Sequence, residues 1–363
     1  MPSTADARGG GEGPGQGETD LARRPSHGTV VDPGFVPARG LASPHLQTLW
    51  AAYRRPVADS PVAFDLFPTA DGDLLRVARL GDVPRDDGRP IVLLLHGLTG
   101  SHRSRYIRGM AGGLLAAGYE PRVVEFRGVE GGPMRTARSY HAGFTEDLAH
   151  YVAHLKRTEP ARPLAAVGFS LGGNVLLRWL AEAGSDATLA WAGTVSVPFD
   201  LAVCARALHQ GGGKPYGAVL LRELRRHTAE RVRRHGHPTL TAHDVLRCRS
   251  FVEFDDRYVA PLFGFRSAED YYERCSSGRI LGSLPGPTLL VQSEDDPLVP
   301  ASVLPRAEIL ARSTVLYRTR AGGHVGFIED GDHGRHCWCE RVVINALAQH
   351  LPVGRDLRSY AAR

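Results

Sequence analysis

The sequence has little lysine, few cysteines and no long apolar run, and each shortage argues against a class of protein. Only two of its 44 basic residues are lysine. We interpret the arginine excess and the net charge of +5 as a compositional bias, because no nucleic-acid-binding motif accompanies them. The five cysteines are odd in number and irregularly spaced, which argues against a disulfide framework and favours a reducing compartment. No apolar stretch reaches the length of about 18 residues that a membrane-spanning helix needs.

The two ends of the chain are predicted to lie outside the folded part. Residues 1–30 are rich in Gly, Pro, Ser and charge, so we expect a disordered N-terminal tail. Residues 353–363 are expected to form a C-terminal tail. The N-terminus lacks the basic-then-apolar pattern of a signal peptide, and a cytoplasmic protein is therefore expected.

Strands and helices alternate over residues 31–198 and again over 285–352. This alternation predicts an α/β fold with a mostly parallel central sheet flanked by helices. Residues 199–284 break the alternation and are predicted to form a helical cap inserted into the sheet domain. Strands are expected at 62–67, 74–80, 91–95, 121–126, 165–169, 189–197, 287–291 and 314–318, and helices at 106–117, 145–157, 174–182, 301–312 and 337–351, with a short helix within 35–53.

Ser170 occupies the middle of a Gly-x-Ser-x-Gly pattern between an apolar strand and a helix. A serine at the tip of such a turn adopts a strained backbone, and Gly168 and Gly172 remove Cβ atoms that would clash there. The pattern predicts a nucleophile elbow; the alternative is a glycine-rich turn that carries an incidental serine.

A serine hydroxyl needs a base to remove its proton and a carboxylate to orient that base. Asp296 and His324 follow Ser170 in the order serine, acid, histidine that this topology uses, and each comes just after a predicted strand. Asp295 is the alternative acid, and we interpret it as a loop hydrogen-bonding residue instead. The oxyanion is predicted to bind the backbone N–H groups of Leu98 and Leu171. His96 is interpreted as a buried loop anchor.

Two further stretches are rich in residues that bind ligands elsewhere. Residues 222–237 hold six arginines and three histidines, which we interpret as a solvated helix face; the alternative is a surface for anionic lipid or substrate head groups. Residues 333–339 contain two histidines and two cysteines, but their spacing fits no zinc pattern. We therefore predict a loop there, no metal and no organic cofactor.

The chain resembles the YheT-like branch of the α/β-hydrolases, which includes ABHD1/2/3-type and EMB8-type proteins. The resemblance covers about residues 35–350. It implies an α/β-hydrolase fold, an esterase or lipase acting on acylglycerols or short-chain esters, and Ser170, Asp296 and His324 as the catalytic triad. The stretches that carry it are HLQT (45–48), HGLTGS (96–101), FRG (126–128), YHAG (140–143), TED (145–147), GFSLGGN (168–174), EFDD (253–256), DYY (270–272), CS (275–276), DDP (295–297) and GGHVGF (322–327).

Taken together, the residues predict a serine hydrolase that cleaves carboxylic esters through an acyl-enzyme intermediate. The expected partner is a small-molecule ester or lipid, with no nucleic acid; the oligomeric state is left open. An amidase, thioesterase or phospholipase acting through the same triad is one alternative. A binding or scaffold protein on a hydrolase fold is another, and the intact triad residues argue against it.

Overall fold

The structure of the chain is a computed structural model that describes residues 26–82, 88–331 and 334–353, with the backbone alone described at 334–336. Its described residues form a nine-stranded sheet in the order β1-β9-β8-β7-β6-β4-β5-β3-β2. The predicted strands are confirmed with small shifts at their ends. The strands of this sheet are β1 Thr29–Val31, β2 Val62–Pro68, β3 Leu74–Leu80, β4 Ile91–Leu95, β5 Glu120–Val124, β6 Leu164–Phe169, β7 Trp191–Val195, β8 Thr288–Ser293 and β9 Thr314–Thr319.

The central strands are parallel and buried on both faces. Every residue of β4, β6, β7 and β8 is buried, as continuous apolar runs between covering helices require. β4 pairs with β6 so that Leu95 lies opposite Gly168. This register places the loops after both strands at the same edge of the sheet, where parallel α/β sheets put their sites.

The two edges of the sheet are built differently. β2 and β3 form the predicted antiparallel hairpin, and β3 pairs antiparallel with β5. At the other edge β1 pairs parallel with β9. The sheet domain therefore begins at Thr29, inside the segment predicted as a tail; the alternating TVV sequence is too short to indicate a strand by itself. The rest of that prediction, residues 1–25, lies outside the described residues, as does nearly all of the predicted C-terminal tail.

Helices cover both faces of the sheet. The face covered by α2 and α11 holds one apolar core, and the face covered by α3 and α4 holds a second. α2 contributes Ile107, Met110 and Leu114 to the first core at the spacing of an amphipathic helix. The helices outside the inserted segment are α1 Pro44–Leu49, α2 Arg105–Ala116, α3 Glu146–Thr158, α4 Leu171–Ala183 and α11 Trp338–His350.

Residues 199–284 lie between β7 and β8, and we call them the inserted segment. They form helices that pack around a third apolar core containing Phe251, Phe254, Tyr258 and Tyr271. A π-helical turn, Asp255–Val259, joins two of these helices. The helices are α5 Leu201–Ala207, α6 Lys214–His235, α7 Ala242–Arg247, α8 Phe251–Phe254, α9 Ala260–Phe263 and α10 Ala268–Cys275.

The predicted helix at 301–312 is wrong. Only two 3₁₀ turns form there, Ala301–Val303 and Ala307–Ile309. Leu304 between them is extended, with φ −68° and ψ 132°. Pro305 explains this, because the ring of a proline disfavours helical backbone in the preceding residue.

The structure also differs from the loop predicted at 333–339. β10 Ile328–Gly331 and β11 Gly334–Cys337 form an antiparallel hairpin that leads into α11. His333 lies outside the described residues. No described helix combines the length and apolar content that crossing a bilayer requires.

Candidate active site

Ser170 lies on a sharp turn between β6 and α4. Its backbone has φ 50° and ψ −121°, a strained conformation for a residue with a side chain. A Cβ atom at Gly168 would lie 2.6 Å from the Cα of Gly173, and one at Gly172 would lie 2.4 Å from the carbonyl oxygen of His96. The glycines therefore have the steric role that the sequence pattern predicts, and the turn holds Ser170 at the carboxyl edge of the sheet.

The structure brings Ser170, His324 and Asp296 together, although they are far apart in the sequence. His324 Nε2 lies 3.0 Å from Ser170 Oγ, and His324 Nδ1 lies 2.8 Å from Asp296 Oδ2. Both distances are those of hydrogen bonds. The arrangement can pass the serine proton to the imidazole while the carboxylate holds the opposite ring nitrogen.

The two adjacent aspartates after β8 have different partners. Asp296 Oδ1 accepts hydrogen bonds from the N–H groups of Leu298 and Val299, which leaves Oδ2 for His324. Asp295 instead accepts a hydrogen bond from the N–H of Gly323. Burial raises the pKa of the Asp295 carboxyl. The geometry thus favours Asp296 as the partner of the histidine and makes Asp295 an anchor for its loop.

Three polar side chains that sequence reasoning did not assign fix the His324 loop. The Thr48 hydroxyl accepts a hydrogen bond from the N–H of His324 at 2.9 Å, and the Ser196 hydroxyl accepts one from Val325 at 3.0 Å. Fully buried Gln47 uses both ends of its amide on the backbone of Ile328. Gln47 and Thr48 belong to the HLQT stretch, so the resemblance carried a signal for them, whereas Ser196 had none.

The predicted oxyanion donors flank the nucleophile. Leu171 is the first residue of α4, and its N–H lies at the positive end of the helix. Leu98 follows β4 in the neighbouring loop. In the part of the chain that the structure describes, neither N–H has a hydrogen-bond acceptor. Non-glycine residues with positive φ concentrate at this edge of the sheet: Thr99, Ser170, Ser196 and Val325.

His96 supports the loop from below and does not face the cavity beside Ser170. It is fully buried; its Nε2 accepts a hydrogen bond from the N–H of Phe126, and its Nδ1 lies 2.8 Å from the carbonyl oxygen of Gly97. Burial lowers the pKa of this imidazole to about 4. A neutral ring with both nitrogens engaged is a loop anchor, as interpreted from the sequence.

A buried charge network joins the sheet domain to the inserted segment. Arg127 makes a bidentate pair with Asp147, at 2.7 and 2.6 Å, and a further bond to Asp71. From α6, Arg231 donates to the carbonyl oxygens of Thr136 and Arg138 and lies 3.6 Å from Asp73. The prediction of a solvated arginine face therefore fails at Arg231, whose side chain is 3% exposed. The prediction of a solvated face holds for the exposed arginines 222, 226, 233 and 234.

Two apolar cavities meet at Ser170. The inner cavity, about 120 Å³, runs between the sheet domain and the inserted segment. The outer cavity, about 630 Å³, is bordered by exposed Leu49, Tyr53 and Val219. Ser170 and His324 line both cavities, as does Leu98. Ser170 is therefore accessible from two separate apolar spaces.

The described residues offer no metal site, since no three His, Cys, Asp or Glu side chains among them lie together in a way that could hold an ion. The described cysteines are all buried and free.

The strand order, together with a serine on the strand-to-helix turn, defines a hydrolase of the α/β class. The sequence profile of the alpha/beta hydrolase family matches residues 92–334. The YheT protein of Escherichia coli, named as a candidate esterase, is 34% identical over 87% of this chain and 94% of its own length. The mouse phospholipase ABHD3 is 34% identical over 72% of this chain and 65% of its own length. The chain belongs to the alpha/beta hydrolase family, in the branch that holds these two relatives.

A solved structure agrees with this at the level of the fold. The esterase Pf2001 of Pyrococcus furiosus superposes with a TM-score of 0.52 at 18% identity, covering 90% of this chain and 99% of its own. The resemblance stated from the sequence motifs is confirmed by these comparisons, and so is the expected fold class.

Proposed function

We propose that the protein is a serine hydrolase that cleaves carboxylic esters, with Ser170 as nucleophile, His324 as base and Asp296 as its orienting acid. The observation that carries the proposal is the unbroken hydrogen-bonded chain from Ser170 Oγ through His324 to Asp296. The names of the related esterase and phospholipase support an ester substrate.

In the first half of the reaction, Ser170 Oγ attacks the ester carbonyl while His324 Nε2 takes its proton. Asp296 Oδ2 accepts the Nδ1–H of the imidazolium and stabilises its charge. The N–H groups of Leu98 and Leu171 bind the oxyanion of the tetrahedral intermediate. His324 then protonates the departing alcohol, which leaves an acyl group on Ser170.

In the second half, water replaces the alcohol. His324 removes a proton from the water as it attacks the acyl-enzyme, and the same proton returns to Ser170 Oγ when the acid leaves. One ester and one water give one acid and one alcohol, and no metal or organic cofactor takes part. The strained Ser170 backbone keeps the hydroxyl in one position through both halves.

The two cavities suggest where each arm of the ester lies. The inner cavity is lined by buried apolar side chains such as Phe254 and Val259, so we assign the acyl chain to it. The outer cavity is bordered by exposed residues, which gives the alcohol a route to solvent. The inserted segment contributes to both walls and thus acts as a cap.

Covalent labelling with a fluorophosphonate probe tests the proposal. We expect the wild type to be labelled, Ser170→Ala to be unlabelled, and Ser185→Ala to be labelled like the wild type, since Ser185 is an exposed serine just beyond the C-terminal end of α4. Peptide mass spectrometry should place the adduct on Ser170. A folded wild type without labelling would reject the serine hydrolase and bring forward the scaffold alternative.

A substrate series then identifies the bond that is cleaved. p-Nitrophenyl esters of increasing chain length, the matching thioesters and a phosphatidylcholine should be compared by kcat/KM. We expect the oxygen esters to be cleaved most rapidly. A higher kcat/KM for thioesters or phosphatidylcholine would favour the thioesterase or phospholipase alternative on the same residues.

A further inference from the structure

The inner cavity contains one carboxyl group that the proposed reaction does not use. Asp255 lies on the π-helical turn of the inserted segment and lines this cavity together with Ser170 and His324. The residue is 9% exposed, and its neighbours in the cavity wall include apolar Phe254 and Val259. Burying a carboxyl among apolar groups is costly unless its oxygens are hydrogen-bonded.

Among the described residues, only one of the two carboxyl oxygens of Asp255 has a hydrogen-bond donor. Its Oδ2 accepts a hydrogen bond of 2.6 Å from the Tyr272 hydroxyl. Among the described residues, Oδ1 has no hydrogen-bond donor and no Lys, Arg or His lies within ion-pair distance of the carboxyl. Burial raises the pKa of Asp255 to about 7. Perturbed carboxyls in a cleft are candidates for functional groups.

A hydrogen-bond donor lines the same cavity. The N–H of Gly143 donates to His141 Nδ1 at 3.1 Å, so the proton of the neutral ring resides on Nε2. Burial lowers the pKa of His141 to about 3, which keeps the ring neutral. The described chain provides no acceptor for Nε2–H. The cavity therefore offers an acceptor at Asp255 and a donor at His141.

These two groups select one kind of ligand chemistry. An ammonium group would satisfy Asp255 and leave the His141 donor unpaired, and a carbonyl would do the reverse. A hydroxyl both donates and accepts, and it adds no charge to a desolvated cavity.

We propose that Asp255, held by Tyr272 and assisted by His141, is a specificity site for a hydroxyl group on the acyl chain of the substrate. The proposal rests on the proposed function, because the acyl chain is assigned to the inner cavity on that basis. It identifies the preferred substrates as esters of hydroxylated acids. The unsubstituted acids of the same length would leave Asp255 Oδ1 unpaired.

The test compares p-nitrophenyl esters of hexanoic acid, its 3-hydroxy derivative and its terminal-hydroxy derivative. The measured quantity is the ratio of kcat/KM for each hydroxy ester to kcat/KM for hexanoate, which is independent of the folded fraction. We expect Asp255→Leu to lower the better ratio at least about tenfold, since a site built to bond a hydroxyl discriminates strongly. Asp256→Asn, an exposed neighbour that does not line the cavity, should keep the wild-type ratio.

A second variant and a binding measurement complete the test. Tyr272→Phe removes the holding bond with a smaller change and should lower the same ratio if Asp255→Leu does not fold. Calorimetric binding of the three esters to Ser170→Ala measures the preference without turnover. The specificity site would be overturned by two results together. The kcat/KM ratio would be the same in the wild type and in Asp255→Leu (or in Tyr272→Phe, where that variant replaces it), and all three esters would bind equally to Ser170→Ala. Fluorophosphonate labelling of the wild type would show that the proposed hydrolase survives that result.

Discussion

The sheet domain and the inserted segment contribute different groups to the site. Strands β4, β6, β7 and β8 are buried at every position, and Ser170 directly follows β6. The core of the inserted segment includes Tyr258, Tyr271 and Tyr272, with Asp255 bonded among them. The sheet domain holds the proposed reacting groups in loops at the ends of its strands, whereas the inserted segment shapes the cavity with side chains. This difference predicts that catalysis depends on the first region and selectivity on the second.

The largest effects are expected from the proposed reacting groups of the sheet domain. His324→Ala should lower kcat/KM by about 10⁶-fold and Asp296→Asn by about 10⁴-fold, because the first removes the proposed base and the second removes the carboxylate proposed to orient it. Asp255→Asn should change kcat/KM for unsubstituted esters less than about tenfold. Initial rates with p-nitrophenyl esters, on variants that are fully folded at the assay temperature, measure these losses.

Asp295→Asn is the matched control for Asp296→Asn. Asparagine keeps the oxygen that accepts the N–H of Gly323, so a loss below about tenfold is expected. A greater loss for Asp295→Asn than for Asp296→Asn would exchange the roles of the two aspartates.

The sheet domain was largely predictable because its local signals agree with its tertiary structure. Continuous apolar runs predict buried parallel strands, and the turn between 62–67 and 74–80 predicts a hairpin. The helix predicted at 301–312 failed because Pro305 outweighs its apolar spacing. In the inserted segment, the sequence predicts helices without their bounds, since short helices there depend on tertiary packing.

The proposed site likewise has residues that the sequence predicts and contacts that only the fold reveals. Its serine, histidine and acid follow strands in a fixed order, so the sequence was sufficient to name them. The bond from the N–H of His324 to Thr48 joins residues 276 positions apart, and no local pattern encodes it. The partner of Asp255 was equally hidden, because EFDD and DYY are separate stretches until the fold brings their side chains together.

A pH titration of stability should distinguish the buried carboxyl of the inserted segment. Burial raises the pKa of Asp255 from 3.8 to about 7, so the folded state binds this proton more tightly than the unfolded state does. The stabilisation by the proton is complete below pH 4 and lost as the pH rises to 7. Asp255→Asn stays neutral; its free energy of unfolding should exceed that of the wild type by about 4 kcal/mol above pH 7 and match it near pH 4.

Urea unfolding at several pH values between 4 and 9 measures this difference. His96 titrates in both proteins, so its contribution cancels when the two are compared. A difference that does not change with pH would mean that Asp255 is not protonated in the folded protein near neutral pH.

The elbow glycine provides a steric test of the sheet domain. Gly172→Ala would place a Cβ atom 2.4 Å from the carbonyl oxygen of His96 and 2.5 Å from that of Leu95, and neither backbone group has room to move between packed strands. We expect a loss of about 3 kcal/mol in the free energy of unfolding. Gly112→Ala on α2 is the control, since nothing lies within 4 Å of its added Cβ. That helical position should gain about 1 kcal/mol.

The smallest effect is expected on the exposed face of α6 in the inserted segment. Arg226 is 67% exposed and lies 3.6 Å from Glu223, so Arg226→Gln should change the free energy of unfolding by less than about 0.5 kcal/mol. Arg231→Gln on the same helix should cost roughly 3 kcal/mol, because it leaves two carbonyl oxygens without their buried donor and removes one of the two arginines near Asp73. Equal effects of the two substitutions in urea unfolding would mean that the buried network does not join the inserted segment to the sheet domain energetically.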